Sequence, residues 1–331
     1  MFSSQEIYGL LQGEADDWLF HQAALLTESQ FGNNTLLRSI VEFSSYCQRN
    51  CHYCGLRSAN SKLKRYRLSK KDIILAANNA AEMGFATVVL QGGKDSALQA
   101  DDLAEIIEEI TCRINVTITL SLGQQSYDTL ALWKDAGAQR YLLKIETSDR
   151  RLYERYRPGC SLEERLQCLQ DIKDLGYETG SGIIVGLPSG QKDPSTLLAK
   201  DIYFLNKLKL DMIAVGPFVP HPQTPLKDAC DGSLQLTHRT QAILRLCNPQ
   251  ANIPATTAMD ALSHVLTPGN LAKERQKALT RGCNVLMEAT PLPSADGSYE
   301  IYPAKKRHAH PFERAKTIIT AAGKTLPALF E

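Results

Sequence analysis

The chain has 331 residues, and its 37 Lys and Arg against 36 Asp and Glu leave a formal net charge of +1, which gives no overall field for binding nucleic acid or an anionic membrane surface. A hydrophobic fraction of 43% and a charged fraction of 22% exclude a disordered chain. No apolar run reaches the roughly 18 residues of a membrane span, and the amino terminus lacks a signal-peptide pattern, so we expect a cytoplasmic protein.

Short apolar runs alternate with amphipathic segments from residue 37 onward. The apolar runs predict eight strands: Leu37–Phe43, Ala86–Leu90, Val116–Leu120, Tyr141–Ile145, Thr179–Val185, Met212–Pro217, Ile253–Thr257 and Asn284–Met287. Apolar residues at three- and four-residue steps predict eight helices: Ser69–Met83, Asp101–Arg113, Ser126–Ala136, Ser161–Leu175, Ser195–Leu208, Thr237–Leu246, Pro268–Arg281 and Pro311–Ala322.

Eight consecutive strand-then-helix units predict an α/β fold, a complete (β/α)8 barrel of the TIM type. A doubly wound open sheet would satisfy the same alternation. The count of eight and the absence of a linker rich in Pro, Gly or Ser favour the closed barrel. We expect residues 1–36 to form a short N-terminal helical cap and residues 37–325 to form the barrel.

Three of the nine cysteines, Cys47, Cys51 and Cys54, follow the first predicted strand with the spacing C-x3-C-x2-C. Thiolates suit zinc, Cu(I) or an iron–sulfur cluster. A structural zinc site needs four ligands, and His52 or a remote cysteine could be the fourth, but no second C-x2-C pair exists. Three thiolates on a 4Fe–4S cubane leave one iron open to an external ligand. The alternatives are a zinc knuckle and chance clustering. The other six read as ordinary reduced thiols: Cys112, Cys160, Cys168, Cys230, Cys247 and Cys283.

This cysteine spacing, with Tyr53 directly before the third cysteine, resembles the radical S-adenosylmethionine (SAM) superfamily. The resemblance implies one 4Fe–4S cluster on Cys47, Cys51 and Cys54, with SAM chelating the fourth iron. It also implies reductive cleavage of SAM to methionine and a 5′-deoxyadenosyl radical. No cysteine follows Cys283, so we expect no second cluster of the kind that some members carry.

Further runs resemble the FeFe-hydrogenase maturase HydE family, in the biotin synthase-like branch, from about residue 37 to 303. The runs are Val41–Ser44, Cys54–Arg57, Lys64–Leu68, Val89–Gly93, Thr119–Gly123, Arg140–Thr147, Leu175–Gly180, Val185–Pro188, Gly216–Pro222 and Asn252–Met259. Most of them fall at the carboxyl end of a predicted strand, the rim where such barrels have their active sites. The resemblance also assigns the C-terminal part of the barrel to a region associated with biotin and thiamin synthesis.

The resemblance implies roles for side chains on this rim. Seven residues are expected to contact SAM: Tyr53, Gly92, Gly93, Ser121, Lys144, Glu146 and Arg165. Among them, Glu146 matches the acid that holds the ribose hydroxyls, and Arg165 matches the base that pairs with the carboxylate. From the sequence alone, a helix-surface arginine is the favoured interpretation of Arg165, and only the resemblance assigns it this role.

Substrate contacts are expected at the barrel mouth or in the lumen. The candidates are Thr256, Thr257, Tyr299 and Tyr302, with Ser121 beside them. His221, between two prolines, could orient a ligand or only stiffen its loop. The resemblance implies a small cysteine-bound iron complex with carbonyl and cyanide ligands as substrate, in assembly of the hydrogenase H-cluster. Implied partners are companion maturases and a flavodoxin- or ferredoxin-type electron donor.

The match departs from the family at three positions. Lys94 replaces a Glu, Ile145 stands where some relatives have His, and Glu288 replaces part of a Pro-Asn pair, so we expect the lumen near the eighth strand to differ. These departures leave open the alternative that the chain is a paralogue acting on another small substrate, such as a methylornithine synthase-like mutase or a biotin synthase-like enzyme. A metal-carrying scaffold without enzyme activity is the second alternative.

Overall fold

A computed structural model of the chain describes residues 2–266, 272–293, 297–303, 305 and 307–327. Eight strands form one parallel sheet: β1 (Leu36–Ser44), β2 (Thr87–Gly92), β3 (Thr117–Ser121), β4 (Arg140–Leu142), β5 (Glu178–Ser181), β7 (Met212–Ile213), β9 (Pro254–Ala255) and β10 (Val285–Ala289). Their order is β7-β5-β4-β3-β2-β1-β10-β9, and a parallel bridge between Met212 and Asn252 joins the two ends. The ring therefore closes, and the predicted (β/α)8 barrel is confirmed.

Helices cover the outside of this ring. They are α1 (Ser4–Gln12), α2 (Asp16–Phe31), α3 (Lys70–Glu82), α4 (Ala100–Arg113), α5 (Tyr127–Asp135), α6 (Arg150–Tyr156), α7 (Leu162–Asp174), α8 (Pro194–Lys207), α9 (Leu234–Cys247), α10 (Thr257–Leu266), α11 (Lys273–Leu279) and α12 (Pro311–Ala321). Ser69, Ser126 and Ser161 each accept a backbone N–H of the following first turn, as their sequence positions predict. The predicted helix Pro268–Arg281 begins outside the described residues, and α11 is its described part. In the described part of the chain, no helix is long and apolar enough to cross a membrane.

Two predicted strands, Thr179–Val185 and Met212–Pro217, each break into two. Their second halves, β6 (Ile184–Val185) and β8 (Gly216–Pro217), pair with each other above the barrel sheet. The break in the first follows from Gly182, because a Cβ there would lie 1.8 Å from the carbonyl oxygen of Ala214. The backbones approach so closely at this point that only glycine fits, and the ladder cannot continue regularly.

Two helices precede β1 and pack against the barrel helices. Arg239 of α9 donates to the carbonyl oxygen of Leu11 (2.9 Å) and pairs with Asp16 (2.7 Å), which ties α1 and α2 to the barrel. The division into a cap of residues 1–36 and a barrel of residues 37–325 stays a prediction.

Glu288 does not face the lumen, contrary to the expectation from the sequence. Its carboxylate accepts from the fully buried Arg275 of α11 (2.7 Å) and from Arg314 of α12 (2.5 Å). Asp260 of α10 completes this group by pairing with the same two arginines. Glu288 therefore joins β10 to α11 and α12, and Asp260 adds α10 to the same group. The difference from the family at residue 288 thus leaves the lumen wall unaffected.

The loop that follows β4 is held by one buried carboxylate. Asp201 of α8 accepts from the backbone N–H of Ser148 (2.6 Å), from its hydroxyl (2.6 Å) and from the hydroxyl of Thr147 (3.1 Å). Burial raises the pKa of Asp201 to about 6 although these hydrogen bonds lower it. Thr147 and Ser148 directly follow Glu146, so this anchor fixes the rim beside a predicted SAM ligand.

Because this carboxyl group has a higher pKa in the folded chain than in the unfolded chain, its contribution to the free energy of unfolding is lost as the pH rises through about 6. Asp201→Asn keeps the accepting oxygen and removes the charge. We expect the variant to gain on the order of 3 kcal/mol relative to the parent between pH 4 and pH 7.5. Urea unfolding at several pH values measures this difference, with the exposed Asp228→Asn as control. A pH-independent difference for Asp201→Asn would contradict the buried-charge interpretation.

Candidate functional site

The cysteine loop, defined here as residues 45–60, leaves β1 at the rim formed by the carboxyl ends of the strands. Arg65 holds its two ends together. Its guanidinium donates to the carbonyl oxygens of Ser45 (2.6 Å) and Leu56 (3.1 Å) on either side of the three cysteines, and to that of Arg57 (2.8 Å). The planar guanidinium of Arg65 therefore joins the two ends of the cysteine loop through hydrogen bonds. Arg65 lies in one of the runs that resemble the family, but sequence reasoning assigned it no role.

Cys47, Cys51 and Cys54 are reduced thiols in this loop. Burial raises the pKa of the Cys51 and Cys54 thiols, and Cys47 raises both further. Buried thiols of this kind stay neutral in the free protein, and metal binding displaces their protons. The structure places all three predicted metal ligands on one loop, between the two ends that Arg65 joins.

The residues present fit a 4Fe–4S cluster. Within the described ranges, no three His, Cys, Asp or Glu side chains converge as ligands of a single metal ion. In a cubane, each thiolate binds a different iron, so such convergence is not required. Gly93 lets the loop after β2 pack directly against the cysteine loop, because a Cβ there would lie 2.1 Å from the carbonyl oxygen of Tyr46 and 2.7 Å from Cβ of Cys47. Three soft donors on one short loop suit a cluster.

The loop after β2 contacts the cysteine loop directly. The backbone N–H of Gln48 donates to the carbonyl oxygen of Lys94 (2.9 Å), next to Gly92 and Gly93. The Lys94 ammonium donates to the carbonyl oxygen of Gln124 (3.1 Å), in the loop after β3, and burial lowers the pKa of Lys94. Lys94 therefore joins two rim loops. Ser121 ends β3 beside Gln91 of β2, also on the rim.

Glu146 lies on the rim in a strained backbone conformation. Its φ of 66° is left-handed, and it is held there by hydrogen bonds from its N–H to Gly182 (3.0 Å) and from Ile184 to its carbonyl oxygen (3.0 Å). The Lys144 ammonium lies 3.0 Å from Oε2 of its carboxylate, an ion pair that does not have hydrogen-bond geometry. A buried carboxylate oxygen that has a cation beside it but accepts no hydrogen bond from the described residues is suited to accept from a ligand hydroxyl.

A buried group of two tyrosines and two arginines packs behind the cysteine loop. Arg165 Nε donates to the hydroxyl of Tyr153 (3.0 Å), and Arg157 Nη1 donates to the hydroxyl of Tyr53 (2.7 Å). Both arginines lower the pKa of the Cys51 thiol, against the larger effect of burial. Arg165 is only 3% exposed, so the alternative of a helix-surface arginine is wrong. Sequence reasoning missed Arg157 and Tyr153, since neither stands in a recognised motif.

The four predicted substrate residues are brought together only in part. Thr257, at the start of α10, shares a hydrogen bond with the hydroxyl of Tyr302. Tyr299 is buried, and burial raises its pKa well above the usual range, with Glu42 and Cys54 nearby. Thr256 instead donates to the carbonyl oxygen of Val215 at 3.4 Å, so its hydroxyl bonds to the neighbouring backbone.

An ion-pair group that sequence reasoning missed holds the C-terminal segment over the barrel. Glu42 of β1 is almost fully buried and pairs with Lys305 and Arg307 (3.0 Å). The Lys305 ammonium also lies over the ring of Tyr299 (4.7 Å), and Tyr66 donates to the carbonyl oxygen of Glu42 (2.6 Å). The segment that carries Tyr299 and Tyr302 is therefore anchored to the strand that leads into the cysteine loop.

His221 packs inside the rim, away from an open surface. Its Nδ1 accepts from the backbone N–H of Gln223 (3.0 Å), and its ring would collide with a Cβ at Gly55 (2.6 Å). The structure therefore gives it contacts within its own loop and with the cysteine loop. Together, the rim carries three thiols, two buried cations and a carboxylate.

Comparison with known proteins agrees with this geometry. The family model described as the radical SAM superfamily matches residues 41–198. The FeFe hydrogenase maturase subunit HydE of Thermotoga maritima is 42% identical over 288 residues, 87% of this chain and 79% of that protein. The 3-methylornithine synthase of Methanosarcina acetivorans is 29% identical over 275 residues, 81% of this chain and 77% of that protein.

A crystal structure of methylornithine synthase has the same fold, with a TM-score of 0.85 and 23% identity over 99% of this chain and 94% of that one. These findings confirm the resemblance predicted from the cysteine loop and the rim runs. The chain therefore belongs to the radical SAM superfamily of enzymes, which use a 4Fe–4S cluster and SAM, and within it to the HydE family.

Proposed function

We propose that this enzyme binds its cluster through Cys47, Cys51 and Cys54 and acts on a small substrate inside the barrel. The observation that carries the proposal is the closed loop of three neighbouring thiols on the rim of the strands. When bound, the cluster and SAM supply reductive cleavage to a 5′-deoxyadenosyl radical. The protein itself binds and orients the cluster and SAM, and it excludes water from around them.

The SAM contacts follow from the side chains around the loop. Oε2 of Glu146, which is ion-paired with Lys144 but accepts no hydrogen bond, would accept from ribose hydroxyls, and Arg165 would pair with the carboxylate of SAM. Tyr53 packs with Ile184 and Phe218 in a small apolar cluster, which would form the wall beside the adenine ring. The carbonyl groups near Gly93 are in reach of the cysteine loop and would accept from the amino group.

The substrate we propose is a small cysteine-bound iron complex with carbonyl and cyanide ligands, used in assembly of the hydrogenase H-cluster. Membership in a maturase family supports it. The hydroxyls of Thr257 and Tyr302 beside the buried Tyr299 form a compact polar wall that suits a polar ligand of that size. The proposed partners are companion maturases and a flavodoxin- or ferredoxin-type electron donor, in the cytoplasm.

A second candidate is a paralogous enzyme acting on an amino acid. The observation that favours it is Lys94, which places a half-buried ammonium between the loops after β2 and β3, where an acid is expected from the family. A 29% identical 3-methylornithine synthase shows that relatives of this chain carry other activities. The two candidates differ in the substrate that stimulates SAM cleavage.

The cluster assignment predicts the behaviour of single cysteine variants. Reconstituted anaerobically, Cys51→Ala should lose the sulfur-to-iron absorption at roughly 400 nm. With SAM and dithionite, it should form no 5′-deoxyadenosine, which chromatography measures. The matched control Cys112→Ala, at an exposed thiol on α4, should keep both properties. Full absorption in Cys51→Ala would place the cluster elsewhere.

The substrate assignment predicts a selective effect of Tyr302→Phe, which removes the hydroxyl bonded to Thr257. We expect stimulation of 5′-deoxyadenosine formation by the synthetic iron–cysteine complex to fall about tenfold, as loss of one buried hydrogen bond implies. Cleavage of SAM without substrate should stay at the parental rate. The control is Tyr127→Phe, at an exposed ring on α5. Stimulation of the parent by a free α-amino acid, and not by the complex, would favour the second candidate.

A further inference from the structure

Arg157 is a buried cation beside the cysteine loop to which the proposed function assigns no role. It follows the last residue of α6 and is only 9% exposed. Its Nη1 donates to the Tyr53 hydroxyl (2.7 Å), and its guanidinium lies over the ring of Tyr153 (5.3 Å). Its Nε is buried and has no hydrogen-bond partner among the described residues. The Arg157 guanidinium therefore has a buried N–H group that donates to no described residue.

The guanidinium has no carboxylate partner among the described residues, and its side-chain contacts are with the two tyrosines Tyr53 and Tyr153. Burying a cation without an anion costs free energy, so a compensating negative charge is expected nearby. The groups that interact with it electrostatically are Tyr53, Cys51, Tyr153 and, more weakly, Glu146. Of these, Cys51 becomes a permanent anion when it ligates iron.

The main chain keeps Arg157 in a fixed position relative to the loop. Its N–H donates to the carbonyl oxygen of Tyr153 (2.9 Å), and its carbonyl oxygen accepts from Cys160 (3.0 Å). The preceding residue, Tyr156, accepts from the N–H of His52 (2.9 Å), which lies between Cys51 and Tyr53. The end of α6 and the cysteine loop are therefore bonded through backbone as well as side chain.

We propose that Arg157 is a positioning residue for the cofactors: it fixes the Tyr53 ring against SAM and places a permanent positive charge next to the Cys51 ligand. The inference rests on the proposed function. Reduction adds one negative charge to a cluster, so a fixed neighbouring cation stabilises the reduced form more than the oxidised form. Through the Tyr53 hydroxyl, the same guanidinium holds the residue that directly precedes the third ligand. Arg157 therefore affects both the reduction potential of the cluster and the orientation of the Tyr53 ring.

The two parts of the proposal are separated by three variants of the reconstituted holoenzyme. Arg157→Gln removes the charge, Arg157→Lys keeps it without the planar fork, and Tyr53→Phe removes the partner hydroxyl and keeps the ring. The readouts are iron content, the midpoint potential of the cluster from a redox titration followed by electron paramagnetic resonance, and SAM affinity by equilibrium dialysis. The control is Arg155→Gln, at an exposed arginine two residues earlier.

We expect Arg157→Gln to keep its iron and to shift the reduction equilibrium about tenfold toward the oxidised form, which is 59 mV for a one-electron couple. Arg157→Lys should keep the parental potential and, like Tyr53→Phe, bind SAM several-fold more weakly. Arg155→Gln should match the parent in every readout. If Arg157→Gln does not retain the cluster, the proposal is tested by the SAM affinities of Arg157→Lys and Tyr53→Phe. Parental SAM affinity in both variants would overturn the proposal.

Parental potential and SAM affinity in an iron-replete Arg157→Gln protein would overturn this inference and leave the proposed function intact. A parent protein that holds no cluster, or that holds one and does not cleave SAM, would instead contradict the proposed function. The potential is the readout that a merely structural arginine would not change, because Gln fills most of the same space without the charge.

Discussion

The site depends on one close packing contact, between Gly93 and the cysteine loop. β1 and β2 are neighbours in the ring, so the loops that leave them must run side by side. A side chain at residue 93 would overlap the carbonyl group of Tyr46, and the loop carrying Cys47 would be displaced. Since a cubane binds its thiolates at set distances, such a displacement would be felt at every ligand. The order of the strands thus fixes the position of the three cysteines that we propose as metal ligands, and Gly93 allows the close contact.

The charges around this contact are distributed unevenly, although the whole chain is nearly neutral. Between Glu42 and Asp72 there are eight Lys or Arg and no acid, and the three thiols lie within this segment. Some of these cations have structural partners, such as Arg65 with the loop carbonyls and Arg67 with Asp95 (2.6 Å). The segment nevertheless surrounds the three cysteines, whose thiolates the proposed cluster would require in a buried setting. The net charge of +1 excludes a field over the whole molecule and says nothing about this local one.

Local patterns made the barrel and the family predictable, whereas contacts between segments far apart in the chain could not be predicted. The eight strands and the C-x3-C-x2-C spacing are properties of short segments, so they could be read directly. Glu288 could not be placed, because a shift of one residue in a strand decides between lumen and helix layer. The burial of Arg165 and the bond between Arg157 and Tyr53, 104 residues apart, depend on how α6 and α7 pack behind the loop.

Substrate specificity has a different structural origin from cofactor binding. At 23% identity, the fold of methylornithine synthase still matches nearly the whole chain, so the barrel alone does not select a substrate. Thr257 belongs to a rim helix and Tyr302 to the C-terminal segment, and they meet because Lys305 and Arg307 hold that segment on Glu42. Glu42 lies on β1, which ends in the cysteine loop. The same strand therefore aligns the proposed substrate contacts with the three cysteines, and a change in the C-terminal segment can alter those contacts without moving the cysteine loop.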